Sequence, residues 1–593
     1  NDVDCEMTVA SGDKGDGERN PLPVLPAERM VTETVPFFIK GDADGGKVTK
    51  DIDLSALFNG NSPSADSRSM KVEYMDGPAW MCIEALRSVK NPETDDAVSW
   101  SAALAANASL AELLRAFPVM ERYESADSLR CSVAKAEDKL AGLQKADGGW
   151  AWFNGMESNR YVTLAVCESM VETPSLSPRM SSMLRRGVAY LDSVMLTAYK
   201  QRRADDLAVM GNDMLRYLSV AARTGLDGVS REVSKMRSAY AKMAEKDVGN
   251  LTIYGVARTS LMLRDCGRVK AADRLVGILK DYTVEKPGLG RFYATDAAYY
   301  SWMDYRIPTQ LAAMRAIMRK DSADAFLPDM LLWLVAQKQV QRWDNPMTAI
   351  EVARLLQAIE PLDNLREVSL PVISVDGTAP LSMERGVADG GRERLEEREP
   401  ALALEGCVVA EVPEEALAGG VSSMKVEKGG RGVSWGAVHA SFSENADSLK
   451  AYAAGELAVG RKCYVQRGGV GEWMPCGEDI ALRVGDRVRV RHVVTADRDM
   501  DFVKVSSQYP ACFEPVSQLS GYRWMGGRGG FVSVHDSCVD MFFDWFTRGT
   551  ATLDVEYYVA RVGEYGMGFA TVECEYAKQY GGHTAGQRVA ASK

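Results

Sequence analysis

Four histidines, His439, His492, His535 and His583, are the only imidazole bases in the 593 residues, and all follow residue 438. Activating a serine or cysteine nucleophile needs such a base, and a zinc site in a helical domain usually draws on histidine too. The first 438 residues can supply neither, and beyond them no two histidines stand at ligand spacing. The eleven cysteines are spread thinly with no CxxC pair, which excludes a zinc ribbon or a thioredoxin-like redox site. Most read as small buried hydrophobes. Cys463 and Cys476 flank Gly468, Gly469 and Gly471 and could face each other across a hairpin, as a candidate disulfide. Paired carboxylates are the remaining option, as in glycosidases. The candidates are Asp147, Glu157, Asp296, Asp304 and Asp344, most of them near turns or helix starts, where capping is their expected work. No catalytic residue, metal ligand or cofactor is assigned.

Three textures of chain must position these residues. Residues 1–75 read as strands: Val31-Thr-Glu-Thr-Val35 and Phe37-Phe-Ile39 are β-branched and aromatic, Gly41 to Gly46 reads as a turn, and Pro21, Pro23 and Pro26 break the earlier run. Residues 76–363 repeat apolar residues at helical spacing, as in Leu104, Leu110, Leu113, Leu114 and Phe117. About twelve helices start near 77, 95, 123, 158, 177, 212, 229, 249, 268, 304, 324 and 345. Asp95-Asp96, Ser158, Asp304 and Asn345 are start signals. Helix pairs that cannot each close a core stack as a solenoid or close as a toroid. Residues 364–455 return to strands and include the charge-dense linker Ser382 to Glu399. Residues 456–593 form a terminal β-sandwich, in which Arg487 to Val494 begins by alternating strictly, as a half-buried antiparallel strand does. The order β, α, β fits a helical domain inserted into a β-sandwich, with a second sandwich behind it.

At about 150 residues per domain the chain is too long for one domain. With 46% hydrophobic and 26% charged residues it has ample material for large cores. A net charge of −12 excludes the clustered Lys and Arg of a nucleic-acid binder. No window approaches 18 uninterrupted apolar residues, so no transmembrane segment is expected. The start at Asn1, without a signal peptide, reads as the C-terminal part of something longer.

The most telling stretch is Gln144-Lys-Ala-Asp-Gly-Gly-Trp150, followed by Ala151-Trp152-Phe153. Its Q-x-x-D-G-x-W pattern resembles the repeat signature of α/α-toroid proteins of the terpenoid-cyclase type. A helix ends near Gln144, Asp147-Gly148-Gly149 makes a turn that needs positive φ, and the Trp plugs the space between helix ends. The alternative role for Trp150 and Trp152 is a stacking platform.

A wider series is more specific. It runs through Asp16-Gly-Glu-Arg19, Leu22-Pro-Val-Leu25, Val31 to Pro36, Val72-Glu-Tyr74, Gly77-Pro-Ala-Trp80, Gly148 to Phe153, Tyr161-Val-Thr163, Ile307-Pro-Thr-Gln310 and Gln337 to Trp343. It continues in Cys512-Phe-Glu-Pro-Val516, Gly521-Tyr-Arg-Trp524, Phe542-Phe543 and Gly563-Glu-Tyr565. In this order, over nearly the whole chain, the series resembles the C-terminal half of bacterial proteins of the alpha-2-macroglobulin and complement family. The resemblance implies an α/α-toroid thioester-type domain inserted in a CUB-like β-sandwich, followed by a macroglobulin-type β-sandwich. It implies an endopeptidase inhibitor and not an enzyme, with proteases as partners met through an upstream bait region. It also implies an envelope protein partner and a periplasmic or cell-surface location, anchored by an upstream lipoprotein signal.

The family's thioester joins a Cys and a Gln early in the toroid. Counting on from Pro78-Ala-Trp80, Asp95 or Asp96 stands where the Cys would be, and Val98 or Ser99 where the Gln would be. No Glu-Gln dipeptide occurs, so no thioester is expected. The aromatic-rich stretch Gly521 to Gly530, with Tyr522 and Trp524, is the candidate interaction face of the last domain. Two other readings stay open: a toroid glycosidase or lyase, and a non-catalytic adhesion module.

Overall fold

The computed structural model describes all residues except 1, 24–27, 43, 77–78, 93, 117–123, 202–211, 226–228, 247–250, 287–288, 295–305, 338–345, 360–369, 387–391, 395–407, 431, 468–470, 477–481 and 576. The N-terminal hairpin pairs Asp2–Ser11 with Lys14–Pro23, so Pro21 and Pro23 end a strand and do not prevent one.

The first sandwich is built from both sides of the helical region. Strand Val433–Asn445 pairs antiparallel with Glu28–Lys40 on one side and Asp66–Asp76 on the other, with Val438 opposite both Val35 and Val72. Val408–Val412 extends this sheet beyond Asp66–Asp76. A second sheet orders Val48–Asp53, Ser423–Lys428 and Val372–Val375. Between them lies one core that includes Phe37, Ile39, Leu54, Tyr74, Val426 and Phe442. The helical region is therefore an insertion. A single left-handed turn, α1 (Leu57–Asn61), with φ of 55° at Phe58 and 58° at Asn59, was not legible in the sequence. Such turns are costly for L-residues. Burial of Phe58 offsets the cost, as do the bonds of the Asn59 amide to Ser448 O at 3.0 Å and from Lys450 N at 2.7 Å.

The insertion holds twelve helices among its described residues. They are α2 (Ala79–Val89), α3 (Ala97–Ala116), α4 (Ala126–Leu143), α5 (Arg160–Glu172), α6 (Pro178–Gln201), α7 (Asn212–Arg223), α8 (Arg231–Lys246), α9 (Ile253–Asp265), α10 (Val269–Asp281), α11 (Arg306–Lys320), α12 (Leu327–Gln337) and α13 (Pro346–Ile359). Helix α3 touches α5, α5 touches α7, α7 touches α9, α9 touches α11, α11 touches α13, and α13 returns to α3. Each inner helix carries an outer one: α4 on α3, α6 on α5, α8 on α7, α10 on α9, α12 on α11 and α2 on α13. The ring is closed, so it is a toroid of six helix pairs. Among the inner helices, α3, α5 and α9 are buried along most of their length. Helix α3 is long and apolar enough to span a membrane, but it is a ring helix with 78% of that stretch buried.

Caps set the helix starts where the sequence has the right donors and acceptors. Ser125 and Thr252 accept from the amides of Ser128 and Gly255. At α5 the cap is Asn159, not Ser158, because the Ser158 hydroxyl is taken by Asp147 at 2.7 Å. Asp304 and Asn345 lie outside the described residues.

The terminal β region contains a seven-stranded and a five-stranded sheet. Strand Arg487–Ala496 alternates throughout: Val488, Val490, His492, Val494 and Ala496 face the core. Arg489 and Arg491 face out, onto Glu556 at 2.7 Å and Asp554 at 2.8 Å. Phe38, Val433 and Trp435 of the first sandwich pack against the toroid core. The ion pairs Lys286–Asp497 at 3.0 Å and Arg306–Asp499 at 3.2 Å join the toroid to the terminal region.

Candidate functional site

Each residue of the Gln144–Trp150 motif has a structural job. Gln144 ends α4 and its amide donates to Gly148 O at 2.9 Å and Met183 O at 2.8 Å. Asp147 accepts from Gly149 N at 3.0 Å. Gly148 has φ +91°, and a Cβ there would stand 2.4 Å from Arg186 O, so only glycine fits. Trp150 is fully buried and donates through Nε1 to Leu140 O at 2.9 Å. Its ring packs on Gly187 of α6, where a Cβ would meet it at 2.4 Å. Its amide donates to Thr163 Oγ1 of α5 at 2.8 Å, so Trp150 staples three helices and, being buried, presents no binding surface. That corrects its place among the candidate surface residues.

The stretch Asp95 to Ser99, read above as the thioester position, is a helix cap. Asp96 Oδ1 accepts from the amides of Val98 and Ser99, both at 2.9 Å, and Oδ2 accepts from Ser99 Oγ at 2.7 Å and from Thr94 Oγ1. Asp95 accepts from Lys139 at 2.9 Å and Trp100 Nε1 at 2.6 Å, which hold its carboxyl below the usual range. Val98 is buried. Cys82 lies in the core, where burial pushes its thiol up to about 12, far from a nucleophile. Trp152 O accepts from Ala97 N at 3.2 Å, so the loop after Trp150 is tied to this cap. Trp152, Phe153, Met156 and Tyr161 are all exposed on that loop and the start of α5.

Of the candidate acids, Asp147 is spent on its turn and Glu157 is exposed. Asp296, Asp304 and Asp344 lie outside the described residues. What sequence reading missed is a charged lining inside the ring. Glu168 binds Arg216 and Arg258, Glu172 binds Arg223 and Arg315, and Asp265 binds Arg319. The local signal was a charged residue at an inward position of the helix period, as at Glu168 within the apolar run of α5.

Two histidines are not surface residues. His492 is fully buried with Nδ1 3.2 Å from Leu553 O, and burial, aided by the charge of Arg461, pulls its pKa down to about 4. His583 is buried 3.5 Å from Glu33. His439 sits 3.4 Å from Glu73 and holds that carboxyl down to about 2. His439 and His583 line one cleft of about 840 Å³ between the first sandwich and the terminal region. No group of three metal-ligating residues occurs among the described residues. Tyr522 and Trp524 stand 77% and 78% exposed on the edge strand Gly521–Met525. Cys463 and Cys476 do face each other, with Cys476 N donating to Cys463 O at 2.8 Å, but both thiols are free.

Residues 457–579 match the family described as the bacterial alpha-2-macroglobulin MG10 domain. The family resemblance read from the ordered motifs is met there. No curated protein matches in sequence. Among solved structures, native alpha-2-macroglobulin of Escherichia coli from domain MG7 to the C-terminus is 14% identical at TM-score 0.39, over 100% of this chain and 88% of that one. The E. coli protein activated by porcine elastase is 15% identical at TM-score 0.42, and the trypsin-activated form 14% at 0.44. This chain spans 50% and 38% of those two chains.

Proposed function

We propose that this chain is the C-terminal portion of a bacterial alpha-2-macroglobulin-like endopeptidase inhibitor. It acts in envelope defence by conformational trapping, with neither catalysis nor a thioester. The observation that carries the reading is the MG10 match at residues 457–579, behind a helical toroid that interrupts a β-sandwich. The first sandwich is then the CUB-like domain. Asp95, Asp96, Val98 and Ser99 occupy the thioester position, and capping of α3 replaces acyl chemistry there.

Trapping requires domains that can part. The toroid packs on the first sandwich through apolar residues, whereas Lys286–Asp497 and Arg306–Asp499, all partly exposed, join it to the terminal domain. Exposed pairs contribute about 0–1 kcal/mol each and weaken with salt. This supports a reading in which the toroid leaves the terminal domain before it leaves the sandwich. The protease partner engages a bait region upstream, and the whole protein sits in the periplasm or at the cell surface on a lipid anchor. Trp152, Tyr522 and Trp524 are the exposed aromatics offered to an envelope partner.

The test is protease challenge of the full-length protein with trypsin or elastase. Cleavage upstream of Asn1 with a change of shape and a captured protease is expected. A protein that survives uncleaved, or is cut without changing shape, sinks the proposal. Treatment with methylamine separates the thioester claim: no mass increase and no new thiol are expected.

A further inference from the structure

Among the described residues, the inside of the toroid carries charge that does not balance. A cavity of about 30 Å³ lies among α5, α7, α9, α11 and α13, lined by Glu168, Glu172, Arg258, Arg315, Glu351 and Arg354 among others. Every lining arginine except one is matched to a carboxylate. Arg258 pairs with Glu168, Arg315 with Glu172 at 2.7 Å, Arg223 with Glu172, and Arg319 with Asp265 at 2.6 Å. Glu351 sits between Arg258 and Arg315, at 3.9 Å and 4.0 Å. Just outside the lining, Arg216 is held by Glu168 and stands 3.9 Å from Asp213.

Arg354 is the exception. Among the described residues its Nη2 reaches only the Ser169 carbonyl, at 3.3 Å, and its buried Nε has no hydrogen-bond partner. Counting Arg216, Arg223, Arg258, Arg315, Arg319 and Arg354 against Glu168, Glu172, Glu351, Asp213 and Asp265 leaves six cations and five anions, an excess of one among the described residues. Burial and the neighbouring Arg315 and Arg223 pull the Arg354 pKa down to about 10, partly offset by Glu172 and Glu351. It stays charged at neutral pH. A buried, unpaired guanidinium costs several kcal/mol, and water supplies a dipole where a charge is missing.

We propose that the toroid cavity holds one small monovalent anion, chloride in the cell, against the Arg354 guanidinium. Size and charge agree on this. One water-sized sphere needs about 10–15 Å³ of such volume, so the cavity takes a monoatomic ion, with too little room for the four oxygens of phosphate or sulfate. One negative charge closes the count of six against five. The ion bridges helix α13 to the Arg-bearing helices across the ring, so it stabilises ring closure.

The experiment is thermal unfolding of the full chain in sodium chloride against sodium gluconate at equal ionic strength, with bromide soaked into crystals as the anomalous scatterer. The expected result is a saturable rise of about 2–4 °C in the toroid transition once the halide is several-fold above its Kd. A bromide peak beside Arg354 Nε is expected with it. Arg354→Met removes the halide dependence, while Arg130→Met, at an exposed position, keeps it. If Arg354→Met does not fold, the bromide peak in the unaltered protein decides. Equal transitions in the two salts, or density for water only beside Arg354, overturns the assignment.

Discussion

His492 should make the terminal domain acid-sensitive by an amount that the structure sets. The ring lies wholly inside the sandwich, opposite Arg461 on the neighbouring strand, and the Leu553 carbonyl is its hydrogen-bond partner. Arg461 is itself buried and occupied by the carbonyls of Gln508 and Gly568 and by Gln587, so it cannot turn away. Burial first, and Arg461 second, depress the folded pKa to about 4 from an ordinary 6.5. A depressed folded pKa means that the unfolded chain binds the proton first. Stability is therefore complete above pH 6.5 and is lost as the pH falls through 6.5 towards 4. With those two values the loss is about 3 kcal/mol by pH 4. Because a chain of several domains does not unfold in one step, the assay must be local. Hydrogen exchange of peptides from Arg487–Ala496 and Gly549–Val559, corrected for intrinsic rates, reads the opening of this sheet. The unaltered protein should lose roughly 150-fold in protection between pH 7.5 and pH 4 beyond what His492→Gln loses. The glutamine amide can still donate to Leu553 O but does not titrate. Equal pH slopes in the two proteins would refute the reasoning. Arg461→Met should shrink the difference.

Gly187→Ala places a Cβ 2.4 Å from the Trp150 ring and 2.8 Å from Cys167 Sγ, so the toroid should lose about 1–3 kcal/mol. Gly277→Ala on α10, with nothing within 4 Å, should gain about 0.4–1 kcal/mol; calorimetry checks both, and matching changes would contradict the packing. Cys463 and Cys476 oppose each other as a hydrogen-bonded strand pair, about 5.5 Å apart at Cα and within disulfide reach. Mild oxidation should remove two free thiols, slowly at pH 7 because burial pushes them up to about 11 and 12; Cys476→Ser should leave the count unchanged by oxidant. Asp497→Asn removes the partner of Lys286 and should speed hydrogen exchange in the hairpin Val284–Phe292 at low salt, an effect that 0.5 M salt cancels. Exchange that ignores both salt and variant would remove the ion-pair account of that contact.

What could be read before the fold was known divides by distance along the chain. Helix starts near 95, 177 and 212 precede α3, α6 and α7 by two residues or fewer, because capping and apolar period are settled within one or two turns. The Gln144–Trp150 staple was legible for the same reason: its turn and its cap close within seven residues. Strand Arg487–Ala496 announced its buried face by alternation, and that phase places His492 among the valines facing inward. The charged lining had no such signal. Arg216 meets Glu168 across 48 residues, Arg258 meets it across 90, and Arg315 meets Glu172 across 143. Each of these pairs joins helices that are far apart in the sequence and meet only inside the ring, α5 with α7, α9 and α11. A helix period can place a glutamate on the inner face of α5, but it cannot say which arginine arrives there, or that Arg354 will find no paired carboxylate among the described residues. Removing one partner while the ring stays packed would leave the other charge buried and unmatched, at a cost of several kcal/mol. Glu168 and Glu172 thus couple α5 to three other inner helices. Glu168→Gln should for that reason weaken the whole ring, including helices such as α12 that Glu168 never touches. Exchange in α12 that stays unchanged in this variant would show that the ring closes in independent pieces.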